Sequence, residues 1–120
     1  MKIVNRNEVE PFITKDSSEI REILAPANSG LRNQSLAEAR VAPGRSTDEH
    51  FHPLPEEIYC VLQGQGRISI EDEDREVGPG DGIAIIPGHR HKMWNTGGSP
   101  LIFLCCCSPA YSHDDTVIIE

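Results

Sequence analysis

Short apolar runs, separated by glycine and proline, recur along most of the chain. Runs bounded by such turn residues are typical of β-strands. The glycine- and proline-containing turns follow one another at intervals of roughly 8–12 residues, a spacing that favours an all-β sandwich or barrel. The predicted strands are Ser35–Val41, Glu49–His52, Glu57–Leu62, Arg67–Glu71, Gly82–Ile86, His91–Asn95 and Leu101–Cys107.

Helix is predicted in only two places, Ser17–Leu24 and Ser112–Val117. In the second, Ser112 could cap a helix that has Asp114 and Asp115 in its first turn. No internal repeat or low-complexity linker divides the 120 residues, so we expect a single domain over 1–120 with its core at about 35–107. The N-terminal segment and the C-terminal tail are expected to pack on the barrel or on a partner subunit.

Several predicted strands are apolar on both faces. In the strand Glu57–Leu62, Ile58 and Tyr59 point to opposite faces, and the run Leu101–Cys107 is apolar throughout. An antiparallel sheet that faces water on one side is polar on that side. The outer face of this sheet is therefore expected to be covered, either by the N-terminal segment or by a second subunit, and we favour a homodimer.

Charge and hydropathy exclude several classes of partner. The formal net charge of -8 argues against nucleic-acid binding, which requires clustered Lys and Arg. The longest apolar run has seven residues, far below the roughly 20 that span a bilayer, and the N-terminus lacks the apolar stretch of a signal peptide. These features predict a cytoplasmic protein that binds neither nucleic acid nor membranes. The acidic run Glu71–Asp74 is interpreted as the solvated tip of a hairpin.

The four cysteines do not form a disulfide or zinc pattern. Cys105, Cys106 and Cys107 are consecutive, so neighbours point to opposite faces of a strand, and Cys60 lies in a separate apolar run. No C-x-x-C pair is present. We expect free thiols that pack as small apolar side chains in a reducing compartment.

Histidines and a glutamate form the clearest candidate chemistry. On a strand, His50 and His52 place both imidazoles on one face, because side chains alternate with period two. A nearby carboxylate, Glu57 or its neighbour Glu56, and the downstream His91 would complete a nitrogen and oxygen ligand set. Such ligands suit Fe(II), Mn, Ni, Cu or Zn, and the absence of thiolate ligands argues against a closed structural zinc site.

Two stretches of the chain resemble the two sequence motifs of the cupin family. The first motif is carried by Gly44, His50, His52, Glu57 and Gly64, and the second by Gly80, Gly88, His91 and Asn95. The spacings match, and the resemblance spans about 41–107. One position departs from the pattern, because Ile86 stands where the family has proline, with Pro87 beside Gly88. The C-terminal half of the chain, with its tail CSPAYSHDDT, is also similar to small bacterial single-domain cupins that are often labelled mannose-6-phosphate isomerase-like.

The resemblance implies a double-stranded jelly roll, also called a double-stranded β-helix, that holds one divalent transition metal near a mouth of the barrel. The implied ligands are His50, His52, Glu57 and His91. The motif spacing selects Glu57 over Glu56 and His91 over His89, which is expected at the rim. His113 is interpreted as a surface residue.

Candidate substrate contacts follow from strand parity. Tyr59 and Met93 share faces with the ligands, so they either line the cavity or fill the barrel interior. In Ser35–Val41, an inward polar face would let Arg40 clamp a carboxylate and Glu38 act as a base. An inward small face would widen the cavity and leave these two residues as an exterior ion pair. The sequence leaves both arrangements open.

Two functions fit these features. The first is a metal-dependent enzyme that acts on a small polar metabolite, with dioxygenase or isomerase chemistry at the open positions of the ion. The alternative is a barrel that binds or senses a small molecule without catalysis. The sequence leaves the catalytic residues unassigned.

Overall fold

The computed structural model describes all of residues 1–120 and contains eleven β-strands in two antiparallel sheets. The prediction of an all-β fold is confirmed. Three short 3-10 turns, at Arg6–Glu8, Pro26–Asn28 and His113–Asp115, are the only helical segments. The strands are β1 (Phe12–Ile13), β2 (Glu19–Leu24), β3 (Ser35–Val41), β4 (His50–Phe51), β5 (Glu56–Gln63), β6 (Gly66–Ile70), β7 (Glu73–Val77), β8 (Gly82–Ile85), β9 (His91–Asn95), β10 (Leu101–Ser108) and β11 (Val117–Ile118).

The two sheets enclose the core between them. The first has the strand order β1-β2-β3-β10-β5-β8 and the second the order β11-β4-β9-β6-β7. Strand β10 pairs with both β3 and β5, which places the apolar run near the C-terminus at the centre of the first sheet. Alternate residues of these strands point inward, as the period of two requires. The core consists of Ala39, Val41, Tyr59, Val61, Ile68, Val77, Ile85, Met93, Leu101, Phe103 and Cys105.

The predicted helix at Ser17–Leu24 is wrong, because Glu19–Leu24 forms strand β2. This segment pairs with β3 along most of its length, and its preceding turn contains Ser17 with a left-handed φ of 76°. Pairing with a sheet edge decides the conformation, since helix propensity is a weak preference that tertiary contacts override. In the second predicted helix only the 3-10 turn His113–Asp115 forms, without a capping hydrogen bond from the side chain of Ser112.

The acidic run lies at the tip of the β6–β7 hairpin, as predicted. Glu71 and Asp72 form the turn, and the next two acidic residues begin β7 with exposed side chains. Strand β7 itself was not predicted, because its sequence EDREV is mostly charged. It forms an edge strand, where charged side chains are well solvated and discourage pairing with other chains.

The outer face of the first sheet is only partly covered by the chain itself. At the side of β2 and β3, Arg6 from the N-terminal segment contacts Glu38. At the side of β5 and β8, Ile58, Leu62 and Ile86 are exposed, Ile58 by 55%.

All four cysteines are free, as predicted. Cys105 and Cys107 are buried, and Cys60 and Cys106 are half-buried on the opposite face. The structure contains no helix with the length and hydropathy needed to cross a lipid bilayer.

Candidate metal centre

Strand pairing brings three imidazoles together inside the barrel. His50 on β4 is paired in register with His91, the first residue of β9. His52 follows β4 and points to the same side as His50, and the ring centroids of His50 and His91 are 4.2 Å apart. One ring nitrogen from each of the three histidines lies within 4.8 Å of the others, and all three residues are buried. The predicted His-x-His geometry and the distant histidine thus meet at one point.

Backbone carbonyls set the tautomers of two of these histidines. The Nδ1–H of His50 donates to the carbonyl of Asp48 at 2.7 Å, and the Nδ1–H of His91 donates to the carbonyl of His89 at 3.0 Å. Because a neutral imidazole carries one proton, each Nε2 is left with a lone pair. This arrangement is typical of histidines that bind metals through Nε2.

The third histidine is oriented by the C-terminal tail. Nδ1 of His52 lies 3.1 Å from Oγ1 of Thr116, and that hydroxyl donates to the carbonyl of Ser112. Since the hydroxyl has one proton, it accepts from the Nδ1–H of His52, and Nε2 again keeps its lone pair. Each of the three imidazoles therefore presents an Nε2 lone pair that can bind a metal ion.

Glu57 supplies the carboxylate of the cluster. Its Oε1 lies 3.5 Å from Nε2 of both His52 and His91, and its Oε2 accepts a hydrogen bond from the thiol of Cys107 at 3.2 Å. Glu57 Oε1 and His91 Nε2 are both buried and neither has a hydrogen-bond partner. Buried polar atoms are rarely left unpartnered, and a cation between these two would satisfy both. The residues present therefore fit a divalent metal ion.

Electrostatics favour the protonation states in which these side chains can bind a metal ion. Burial lowers the pKa of His50 and of His52, which keeps both imidazoles neutral near pH 7. Neutral imidazoles and an ionised carboxylate are the states that metal binding requires.

The competing candidates lie elsewhere. Glu56 is exposed and points away from Glu57, because neighbouring residues of β5 face opposite sides. His89 is half-buried just before the start of β9, and its carbonyl accepts a hydrogen bond from the ring of His91. His113 is exposed in a 3-10 turn.

A cavity of about 40 Å³, measured as the space open to the centre of a water molecule, adjoins the cluster. Tyr59 lines it, and the ring of Tyr59 packs on Phe103 with centroids 4.7 Å apart. Met93 is buried in the core and does not line the cavity, so it fills the barrel interior. The cavity walls contain three carboxylates and no Lys or Arg.

The small face of β3 points inward. Ser35, Ala37 and Ala39 line the cavity, whereas Glu38 and Arg40 lie on the outer face. Glu38 is fully buried there and binds Arg6 and Arg40 at 2.6 Å each. The interpretation of Glu38 and Arg40 as substrate contacts does not agree with this geometry, because their side chains point away from the cavity. Nor are they a simple exterior ion pair, since the glutamate has no solvent exposure.

Both ends of the chain form a roof over the cavity. The sequence predicted that they pack on the barrel or on a partner subunit, but not that they line the cavity. Thr14 and Asp16 from the β1–β2 turn line it, together with Tyr111 and Thr116 from the tail. The hydroxyls of Thr14 and Tyr111 are 2.8 Å apart, and Nζ of Lys15 donates to the carbonyl of Thr116 at 2.7 Å. Because a helix was predicted from Ser17 onward, no turn was predicted here, although the polar sequence TKDSS is typical of a turn.

Comparison with known proteins agrees with this architecture. The Cupin_2 family model, described as a cupin domain, matches residues 37–107. The uncharacterized protein MJ1618 of Methanocaldococcus jannaschii is 47% identical over 122 residues, which is 100% of this chain and 98% of that protein. The polyketide cyclase RemF from Streptomyces resistomycificus superposes with a TM-score of 0.85 at 27% identity, covering 100% of this chain and 86% of RemF.

A third relative is the oxalate-binding protein of Thermotoga maritima, 29% identical over 75% of this chain and 74% of that protein. The narrower resemblance to mannose-6-phosphate isomerase-like cupins is not supported. The matched family region spans more than half of the chain and includes all four candidate ligands. This chain belongs to the cupin family.

Proposed function

We propose that this protein is a metal-dependent enzyme that acts on a small, oxygen-bearing metabolite at a site of three histidines and one glutamate. The observation that carries the proposal is a pair of buried ligand atoms, Glu57 Oε1 and His91 Nε2. They lie 3.5 Å apart, and neither has a hydrogen-bond partner. His50 and His52 complete the ligand set. Nitrogen and oxygen donors of this kind suit one Fe, Mn, Ni, Zn or Cu ion.

The cavity favours a compact substrate of low negative charge. Its volume of about 40 Å³ accommodates about three water molecules, or a few substrate atoms close to the ion. No Lys or Arg is available to bind a phosphate or a second carboxylate, and Asp16 and Glu22 add negative charge to the walls. A carbonyl, enol or enediol group therefore fits better than a sugar phosphate.

When bound, the metal would polarise a carbonyl or enediol oxygen of the substrate as a Lewis acid. The three histidines and Glu57 would hold the ion. Tyr59 and Phe103 form an apolar wall of the adjoining cavity. Glu22 lines the cavity and makes no hydrogen bond or ion pair with the protein, so it is the carboxylate placed to accept a proton from the substrate. The similarity of the fold to RemF, a polyketide cyclase, supports an enzymatic role for this site.

The central experiment measures metal content. Untagged protein from metal-replete growth is expected to contain about one transition metal per chain by mass spectrometry. His52→Ala should lose the metal while its circular dichroism stays that of a β protein, and His113→Ala is the matched control because His113 is exposed and lies outside the cluster. Wild-type protein without stoichiometric metal would contradict the proposal.

A second candidate is binding without catalysis, which the similarity to an oxalate-binding protein favours. A panel of diketones, enediols, catechols and oxalate separates the two functions. Product formation supports the enzyme, and oxygen uptake with it identifies dioxygenase chemistry. Binding of panel members without turnover would support the binding protein instead.

A further inference from the structure

A second carboxylate, that of Asp16, lies close to the imidazole that Glu57 does not approach. Oδ2 of Asp16 lies 3.4 Å from Nε2 of His50, while Glu57 approaches the other two imidazoles at 3.5 Å. Asp16 is placed on the turn between β1 and β2 and its side chain is 13% exposed. Neither cupin motif contains this residue.

The contact is unfavourable for these two atoms by themselves. Nδ1 of His50 donates to the carbonyl of Asp48, so Nε2 presents a lone pair. A lone pair and a carboxylate oxygen at this distance repel each other unless a positive charge lies close to both. The same juxtaposition exists between Glu57 and His91, where both atoms lack a partner. One cation beside the three Nε2 atoms would relieve both contacts.

We propose that Asp16 is a fifth protein ligand of the metal ion, next to His50. The inference rests on the metal binding argued under the proposed function. Only one oxygen of Asp16 is free for this role, because Oδ1 accepts hydrogen bonds from the backbone N–H of Ser18 at 3.0 Å and from its hydroxyl at 2.6 Å. Glu57 is held in the same way, with one oxygen on Cys107 and the other facing the imidazoles.

The turn that carries Asp16 is fixed to the loop that leads into β4, the strand that carries His50. The backbone N–H of Asp48 donates to the carbonyl of Asp16 at 2.7 Å, and the hydroxyl of Ser17 donates to Asp48 Oδ2 at 2.8 Å. Asp48 also binds Nδ1 of His50. One loop therefore positions both the imidazole and the carboxylate, so their separation does not depend on a mobile segment.

Two carboxylates would balance the charge of a divalent ion. A neutral carbonyl or enol oxygen suits a site without net positive charge better than an anion does. The inference thus sharpens the substrate class derived from the cavity walls.

Cobalt(II) binding tests the assignment on metal-free protein. Asp16→Asn keeps the size of the side chain and an oxygen for Ser18 but removes the charge, and its Co(II) affinity, measured by competition with a chelator, is expected to fall about 10- to 100-fold. The visible absorption of the bound Co(II) should also change, because the ligand set changes. Glu22→Gln is the matched control, since Glu22 lines the same cavity without approaching an imidazole.

The assignment is overturned if Asp16→Asn binds Co(II) with wild-type affinity and an unchanged spectrum. It is also overturned if Glu22→Gln loses as much affinity as Asp16→Asn, because the loss would then be a general effect of charge. If Asp16 only forms an ion pair with a protonated His50 and does not bind the metal, Asp16→Asn should show the first of these results, wild-type affinity with an unchanged spectrum. Wild-type protein that binds no Co(II) would instead overturn the proposed metal function itself, so the two failures are distinguishable.

Discussion

At the scale of single residues, the metal centre depends on partners that hold each donor in place. The thiol of Cys107 is one of them, because it donates to Oε2 of Glu57 and leaves Oε1 toward the imidazoles. Burial and the charge of Glu57 raise the pKa of Cys107, so it stays protonated and acts as a donor. Strand parity could not reveal this role, since it shows only that Cys105 and Cys107 share a face.

Removal of the Cys107 thiol should weaken metal binding. Cys107→Ala leaves Glu57 Oε2 buried without a partner and free to turn, so we expect about a tenfold loss of metal affinity by chelator competition. Cys107→Ser keeps a donor and should stay close to the wild type. Cys106→Ala on the outer face is the control. The role assigned to the thiol is wrong if Cys107→Ala binds metal as tightly as the wild type.

At the scale of elements, strands bounded by turns were predicted correctly from the sequence. Segments whose conformation depends on the strand they pair with were not. The ends of Ser35–Val41 and His91–Asn95 were predicted to the residue, because glycine, proline or polar turns flank apolar runs. The segment Glu19–Leu24 was misassigned, since nothing within it reveals the edge of β3 that it joins. For the same reason Asp16 was missed, as its place near the histidines depends on that hairpin.

The roof formed by both chain ends should control metal exchange. Lys15 links the β1–β2 turn to the tail through the carbonyl of Thr116, next to the hydroxyl that orients His52. Lys15→Met removes this link and should let EDTA extract the metal several-fold faster, while occupancy before the chelator is added stays near the wild-type value. Lys2→Met, at an exposed position near the N-terminus, is the control. Equal extraction rates in all three proteins would show that the roof does not limit exchange.

At the scale of the whole molecule, part of the outer face of the first sheet is apolar and uncovered in a single chain. Strand β5 exposes Ile58 and Leu62 there, and Ile86 follows β8. The N-terminal segment reaches only the β3 side, through Arg6 and Glu38. We therefore propose that a second copy of the chain covers the β5–β8 side, as exposed apolar surface of this kind commonly marks an interface.

Light scattering is expected to give about twice the chain mass of 13.3 kDa. Ile58→Asp places a charge on the proposed interface and should shift the protein toward the monomer, with its metal content kept because Ile58 faces away from the cavity. Ile119→Asp is the control, since Ile119 is similarly exposed but lies outside the first sheet. A monomeric wild type would contradict the dimer, and dissociation of both variants would place the interface elsewhere. Retained metal in monomeric Ile58→Asp would also establish that one chain builds the whole site, which is what the inward direction of all its ligands predicts.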